Sequence, residues 1–180
     1  NPYIKYNPDE LPTDLVGKDV GFITEPTYEN GSISIKKLSK IDQDAQEKAR
    51  AKHILLRFDD SNKSTVRTEA NRILNLLRSG SDFEETARTY SQDGSASNGG
   101  DLGWFTDGMM VKPFQDAVFS RRRSGLIPRI IETDFGFHII NVTYPKTRTS
   151  YFVANISKDI LPSDNTCLLY TSPSPRDTRE

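Results

Sequence analysis

Apolar residues in the middle of the chain recur at two different spacings. Residues 51–57, AKHILLR, are apolar on both faces, which is typical of a buried strand. Residues 65–78 place apolar side chains at the spacing of one helix face. Gly80 is expected to end this helix, and Ser81 with Glu84 forms a capping-box pattern that predicts a second helix. The apolar positions of the two predicted helices are Val66, Ala70, Ile73, Leu74, Leu77, Phe83, Ala87 and Tyr90.

The pattern continues through a loop into further strands and one more helix. Residues 91–103 are dense in small and turn-forming residues, and the strand LGWF follows them. Pro113 can occupy the first turn of a helix that buries Phe114, Ala117 and Val118. The segments LIPRIIE and FGFHIINV flank a turn at 133–136 and predict a hairpin. Residues 49–145 therefore predict an α+β domain, and one further strand is expected at 150–160.

The part of the chain before this domain predicts much less structure. Residues 1–18 are polar and interrupted by prolines, so we expect an irregular lead-in. The segments 19–24 and 32–38 are rich in β-branched residues and lie on either side of Asn30-Gly31, which predicts a small two-stranded element. Two strands alone are marginal in water, so we expect this element to pack on another part of the protein. Because the sequence begins with Asn1 and not with Met, we expect the chain to be a fragment.

Composition and charge narrow the possible functions. The 180 residues carry 24 Lys and Arg against 25 Asp and Glu, so no basic field attracts nucleic acid, which is not an expected partner. The single cysteine, Cys167, excludes a disulfide-stapled fold and a cysteine zinc cluster. With 34% hydrophobic residues and a mean hydropathy of -0.62, the sequence contains no apolar run long enough to span a membrane.

The candidate chemistry centres on the only two histidines, His53 and His138, which both lie in apolar strands. Each can be a hydrogen-bonded core residue and nothing more. The alternative is a pair across one sheet, with the two rings close together. A catalytic zinc site needs a third protein ligand that the chain does not offer in HExxH or cysteine form, so no metal is predicted.

An apolar cluster follows the loop at 91–103 and has two interpretations. It is either ordinary core or a cup for an apolar ligand, and the two adaptable methionines favour a partly open cup. No GxSxG motif or cysteine with a positioned base accompanies it, so no nucleophile is predicted. The members of the cluster are Leu102, Trp104, Phe105, Met109, Met110, Phe114 and Phe119.

Three motifs in this order resemble the parvulin family of peptidyl-prolyl cis/trans isomerases. They are AKHILLRF, then DFEETARTYSQDGSASNGGDLGWFTDGMMVKPFQDAVF, then TDFGFHIINV. The resemblance implies a parvulin, FKBP-like fold in which about four helices wrap a four-stranded antiparallel sheet. Within the family, the sequence is most similar to bacterial chaperone-foldases of the PpiD, SurA and PrsA type. The resemblance implies a catalytic domain at 47–146. It also implies two fragments of a chaperone region, one at 1–46 that contains a β-hairpin and one at 147–166.

The resemblance also implies roles for individual residues. His53, His138, Asp93 and Thr133 match the polar positions of the family's active site, with Asp93 where some relatives have cysteine. We expect His53, His138 and Asp93 to form a hydrogen-bonded network that shapes the site without covalent catalysis, and Thr133 matches the family's hydrogen-bonding threonine. No cofactor is expected. The residues implied to bind the substrate's proline ring are Leu102, Met110 and Phe114, with Phe105 and Phe119 added from the apolar cluster.

The implied function is isomerisation of X-Pro bonds in unfolded or extended client polypeptides by part of a folding chaperone. The loop RFDDSNKST after the first strand lacks a basic cluster, so no phosphate before proline is required. The alternative is a parvulin-fold holdase, which binds polypeptide with weak or no catalysis. The resemblance implies a periplasmic or envelope location and leaves open whether the parent protein carries a membrane anchor.

The last segment departs from everything before it. CLLYTSPSPRD at 167–177 resembles the translation of a transposase adapter used in sequencing libraries. On this interpretation residues 167–180 are not native protein, and the native part contains no cysteine. The alternative is a natural disordered tail rich in serine and proline.

Overall fold

The computed structural model describes residues 3–160 and divides the chain into two compact units. The first unit contains the residues up to Asp42 and those from Ser150 onward, and the second is Gln43–Thr149. The predicted non-native tail at 167–180 lies outside the described residues, as does the end of the predicted 147–166 segment.

Between residues 3 and 160 the structure has seven strands and three α-helices. The helices are α1 (Lys63–Arg78), α2 (Phe83–Tyr90) and α3 (Lys112–Phe119). Short 3₁₀ turns occur at Thr13–Leu15 and Gly94–Asn98. The strands are β1 (Tyr3–Tyr6), β2 (Thr27–Glu29), β3 (Ser32–Leu56), β4 (Asp101–Thr106), β5 (Gly125–Leu126), β6 (Ile131–Thr133) and β7 (Gly136–Asp159).

The strands form one sheet in which β1, β7, β3 and β2 are successive neighbours. β4 pairs with β3, whereas β5 and β6 pair with β7, and each of these three pairs is antiparallel. The parvulin-type combination of a sheet with helices is confirmed, but the predicted four strands and four helices are wrong. β1 and β2 belong to the first unit, and the loop after α2 forms a 3₁₀ turn at Gly94–Asn98 in place of a fourth α-helix.

Strand alternation in the second unit gives the sheet two apolar faces. Ile140 and Val142 of β7 lie in one cluster with α3 residues, whereas Phe137 and Ile139 lie in another cluster with α1 and α2 residues. The predicted alternation of His138 with Ile140 and Val142 is therefore confirmed, because side chains two residues apart share a face. This places His138 on the α3 side of the sheet.

The predicted boundaries of the two long strands are wrong. β3 continues through the charged stretch before residue 51, because its residues 48–50 pair with residues 104–106 of β4. Arg50 also binds Asp101 of β4 at 2.6 Å. β7 includes residues 150–159, which were predicted as a separate strand. It pairs with β6 near its start and with β1 at Tyr151–Ala154, so backbone partners occur near both ends.

Two local predictions are also corrected. The Asn30-Gly31 turn forms, with both residues at positive φ, but the strand before it is β2 and only Ile23 of the predicted 19–24 strand makes a bridge. α2 is capped by Asp82, whose carboxylate accepts a hydrogen bond from the Glu85 amide at 2.8 Å. Ser81 therefore lies one residue outside the cap, because the Asp82 carboxylate already satisfies a free amide of the first turn.

Candidate active site

The two histidine rings meet in the interior of the second unit. β3 carries His53 and its neighbour β7 carries His138, and the two Nδ1 atoms lie 3.1 Å apart. The rings are stacked with centroids 5.3 Å apart, and each residue is only 5% exposed. The sequence expectation that these rings lie close together is confirmed, because adjacent strands bring same-face side chains into contact.

Thr133 orients His138 from the opposite side of the ring. Its Oγ1 lies 2.8 Å from His138 Nε2 and accepts a hydrogen bond from the Phe135 amide at 3.2 Å. We assign the threonine proton to the bond with Nε2, so neutral His138 carries its own proton on Nδ1 and donates it to His53. His53 then carries its proton on Nε2, which faces Asp93.

Asp93 supplies the negative charge beside the histidine pair. Its Oδ2 accepts hydrogen bonds from the Ser95 amide at 2.9 Å and the Ser95 hydroxyl at 2.6 Å. His53 Nε2 lies 3.1 Å from the same oxygen but does not form a hydrogen bond of regular geometry with it. Partial burial opposes ionisation, but the Ser95 hydrogen bonds and His53 outweigh it and hold the pKa of Asp93 below its usual range.

His138 is neutral at physiological pH. Burial and, secondarily, the neighbouring His53 lower the pKa of His138 from 6.5 to about 4. A neutral imidazole can donate at one nitrogen and accept at the other, as the contacts to His53 and Thr133 require. His138 is therefore suited to holding the shape of the site and does not supply a charged acid at neutral pH.

A cavity of about 440 Å³ opens beside the histidines. Phe114 of α3 forms part of its wall, is 3% exposed, and points its ring edge-on to His53 and His138 at centroid distances of 5.7 and 5.4 Å. Such a volume is within the usual range for ligand sites. The lining residues are His53, Leu55, Arg57, Asp93, Leu102, Met109, Met110, Val111, Phe114, Phe135 and His138.

Most of the residues singled out from sequence meet at this cavity. The structure brings Leu102, Met110 and Phe114 together there with both histidines and Asp93. Thr133 is buried behind His138 and contacts its Nε2. Phe105 and Phe119 do not line the cavity; Phe105 is buried behind Phe114 with a ring distance of 6.1 Å, and Phe119 packs against Phe105 at 5.9 Å.

Three exposed lining residues form an apolar rim, and two of them, Val111 and Phe135, were not expected at the site from the sequence. Met109, Val111 and Phe135 are 64%, 38% and 57% exposed. Among the described residues of the second unit, these are the only exposed large hydrophobic side chains. An available signal was the placement of Met109 and Phe135 beside glycine in turn-forming sequence, where an apolar side chain has no core to enter.

The part of the chain at residues 3–160 contains no group of three or more His, Cys, Asp or Glu side chains placed to hold a metal ion. None of its helices combines the length and apolar character needed to cross a bilayer.

The chain is similar in sequence to a known protein family and to individual foldases and chaperones. Residues 33–146 match the family described as the PPIC-type PPIASE domain. The foldase protein PrsA of Geobacillus kaustophilus is 35% identical over 149 residues, which cover 82% of this chain and 50% of that protein. The chaperone SurA of Burkholderia pseudomallei is 44% identical over 92 residues, covering 51% of this chain and 20% of that protein.

A solved structure resembles the same region. The crystal structure of a PpiC-type peptidyl-prolyl cis-trans isomerase domain superposes with a TM-score of 0.54 at 29% sequence identity. The match covers 57% of this chain and 94% of that domain. The chain thus spans about half the length of the first foldase, but its match includes nearly the whole of the solved domain.

Proposed function

The chain belongs to the PPIC-type peptidyl-prolyl isomerase family, and from this premise we propose that it catalyses cis/trans isomerisation of X-Pro bonds in extended polypeptides. The catalytic module is assigned to residues 47–146. The observation that carries the proposal is the cavity of about 440 Å³ beside the buried His53–His138 pair. Phe114 forms part of its wall and contacts both histidine rings edge-on.

The reaction requires no nucleophile, because no covalent bond is made or broken. The barrier of about 18–20 kcal/mol comes from loss of amide resonance as the C–N bond twists. The twisted amide has less charge separation than the planar amide, so an apolar surface around the proline ring favours it relative to water. Lowering the barrier by about 6 kcal/mol would accelerate exchange roughly 10⁴-fold.

The wall formed by Leu102, Met110 and Phe114 has the composition needed to hold a proline ring. Phe114 is fixed from behind by Phe105 and edge-on by both histidines, so the wall is preorganised. His53, His138, Thr133 and Asp93 act in this proposal as a polar network that shapes the site. Their contribution is geometric and electrostatic, and no covalent intermediate forms.

The charges near the cavity support recognition of clients without a phosphate. Arg57 is the one cationic side chain among the lining residues, and Asp59 and Asp60 follow it in the adjoining loop. Hydrogen bonds to Ser61 lower the pKa of Asp59, so its charge persists near neutral pH. A phosphate before proline would meet these carboxylates, and like charges repel.

The exposed rim of Met109, Val111 and Phe135 supports unfolded polypeptide as the substrate. Folded proteins bury their apolar segments, whereas an extended chain can place such a side chain on this rim. We therefore propose that the module serves a folding chaperone, in line with the foldase and chaperone names of its relatives. The proposed periplasmic or envelope location, including a membrane-anchored parent protein, is tested by fractionating cells that carry the full-length gene.

The activity is tested by measuring exchange of proline peptides by NMR with the 180-residue chain. We expect Phe114→Ala to lower kcat/KM about 100-fold, equivalent to about 2.7 kcal/mol of transition-state stabilisation. Met110→Ala, at a less buried position, should give a smaller loss in a protein that remains folded. The matched control is Phe22→Ala, which removes the same side chain from the first unit and should retain full activity.

The competing holdase function predicts a different result. If the folded chain turns over no proline peptide, the isomerase proposal is overturned. Suppression of client aggregation at unchanged strength in both Met110→Ala and the wild type would then favour polypeptide binding by other surfaces. Fluorescence of Trp104, the only tryptophan of the chain, reports whether the second unit is folded in each variant.

A further inference from the structure

A second, larger cavity lies beside the first in the same unit. Its volume is about 570 Å³, and it is lined by Phe58, Lys63, Val111, Pro113, Glu132, Thr133 and Asp134. Among its lining residues only Val111 and Thr133 also belong to the histidine site, so the second cavity is formed mainly by other side chains.

The second cavity adjoins the proposed proline site. Val111 lines both cavities. The two-residue turn between β6 and β7 also joins them, because Asp134 lines the second cavity and Phe135 the first. An extended polypeptide advances about 3.3 Å per residue, so residues within a few positions of a bound proline would enter the second cavity.

The charges around the second cavity favour a cation. The residues that line it include two acidic side chains, Glu132 and Asp134, and one basic side chain, Lys63. Lys63 and the nearby Arg67 both bind Glu132, at 2.6 and 2.9 Å, and Lys112, between the lining residues Val111 and Pro113, binds Asp116 at 3.3 Å. Asp134 forms no hydrogen bond or ion pair among the described residues, so its carboxylate is available to a ligand.

The two helix ends at this cavity do not offset that preference. Lys63 begins α1, but its amide already donates to the Asp59 carbonyl at 3.1 Å. Pro113, in the first turn of α3, has no amide proton to offer an anion. The exposed side chains of Val111 and Pro113 instead provide an apolar surface of the kind that the aliphatic stem of a lysine or arginine covers.

We propose that the second cavity is a specificity subsite for a basic side chain of the bound polypeptide, located within a few residues of the isomerised X-Pro bond. The Asp134 carboxylate receives the cationic head, and Val111 with Pro113 contacts the stem. The inference rests on the proposed isomerase function and adds to it a substrate class: clients that carry lysine or arginine near proline.

The test compares peptides that differ at one position. Peptides of seven residues with a central proline carry lysine, norleucine or glutamate at each of the three positions before and after it. We expect lysine to exceed glutamate in kcat/KM by about 2- to 5-fold at one or two adjacent positions, which is the range of exposed charge pairs. Raising the ionic strength to about 1 M should reduce this ratio.

Variants of the 180-residue chain assign the preference to Asp134. Asp134→Asn should bring the lysine-to-glutamate ratio close to one, and Asp134→Lys should invert it. The matched control is Asp19→Asn, which makes the same change of net charge in the first unit and should keep the wild-type ratio.

The outcomes separate this inference from the function on which it rests. If the norleucine peptides are not turned over by the folded wild type, the proposed isomerase function fails and the subsite falls with it. If they are turned over but no position distinguishes lysine from glutamate, the subsite alone is refuted. The subsite is also refuted if Asp134→Asn leaves the lysine-to-glutamate ratio unchanged, or if Asp19→Asn reduces that ratio as much as Asp134→Asn does.

Discussion

Lowering the pH from 7 to 4 should destabilise the second unit through His138. The pKa of this group is about 4 in the folded chain, because burial and the neighbouring His53 disfavour its charged form. In the unfolded chain its pKa is the ordinary 6.5. Between these values the unfolded state binds a proton that the folded state does not, so stability falls as the pH falls.

The magnitude follows from the difference between the two pKa values. Each unit corresponds to 1.36 kcal/mol, so the contribution of His138 amounts to about 3 kcal/mol by pH 4. This loss of stability is absent above pH 6.5 and increases little below pH 4. Because the pKa of Asp93 is held below its usual range, that carboxylate adds its own loss of stability mainly below this window.

The assay is urea unfolding of the wild type and His138→Gln at several pH values from 7 to 4. Trp104 fluorescence reports on the second unit, in which this single tryptophan contacts Tyr144 at 5.2 Å between ring centroids. Glutamine does not titrate, so the variant should be less stable at pH 7 but lose about 3 kcal/mol less on acidification. Carboxylates common to both proteins cancel in this difference. Parallel pH dependences within about 1 kcal/mol would contradict a buried, neutral His138.

Three further predictions concern capping, close packing and substrate charge. Asp82→Ala should lower the free energy of unfolding by about 1 kcal/mol, whereas Ser81→Ala should have little effect in the same urea titration. Gly100→Ala should destabilise the chain and shift the NMR signals of His53, because a Cβ there would collide with the His53 carbonyl. Gly103→Ala, also at positive φ but facing open space, should cost only about 1–2 kcal/mol. A phosphate on the residue before proline should lower kcat/KM relative to the unmodified peptide, and a rise would contradict the charge argument.

Local patterns in the sequence were sufficient for the helices and one turn. Apolar spacing over 65–78 predicts α1, observed at Lys63–Arg78, because the face that packs on the sheet must repeat with the helical period. Asn30-Gly31 predicts a turn, which forms because both residues tolerate positive φ. The same reasoning misplaced the strand before that turn, since the partner of β3 is decided by register and not by composition.

The polar site was identified through family resemblance more than through physical derivation. His53 and His138 are 85 residues apart in sequence, and either alone is compatible with an ordinary core residue. The motifs around them brought Asp93 and Thr133 into the expected site. Their hydrogen bonds, and the lowered pKa of His138, depend on burial and distances that become defined only when β3 and β7 are neighbours.

The sequence by itself determined the family, the order of the helices and the identity of the polar network, because these depend on local spacing and short motifs. Only the tertiary structure decided which apolar residues are core and which are accessible to a ligand. Phe105 and Phe114 are the same residue type, yet Phe114 lines the cavity and Phe105 is buried behind it. The exposed rim at Phe135 and the available carboxylate of Asp134 likewise depend on long-range packing, because hydrophobicity selects burial but not the neighbour against which a side chain is buried.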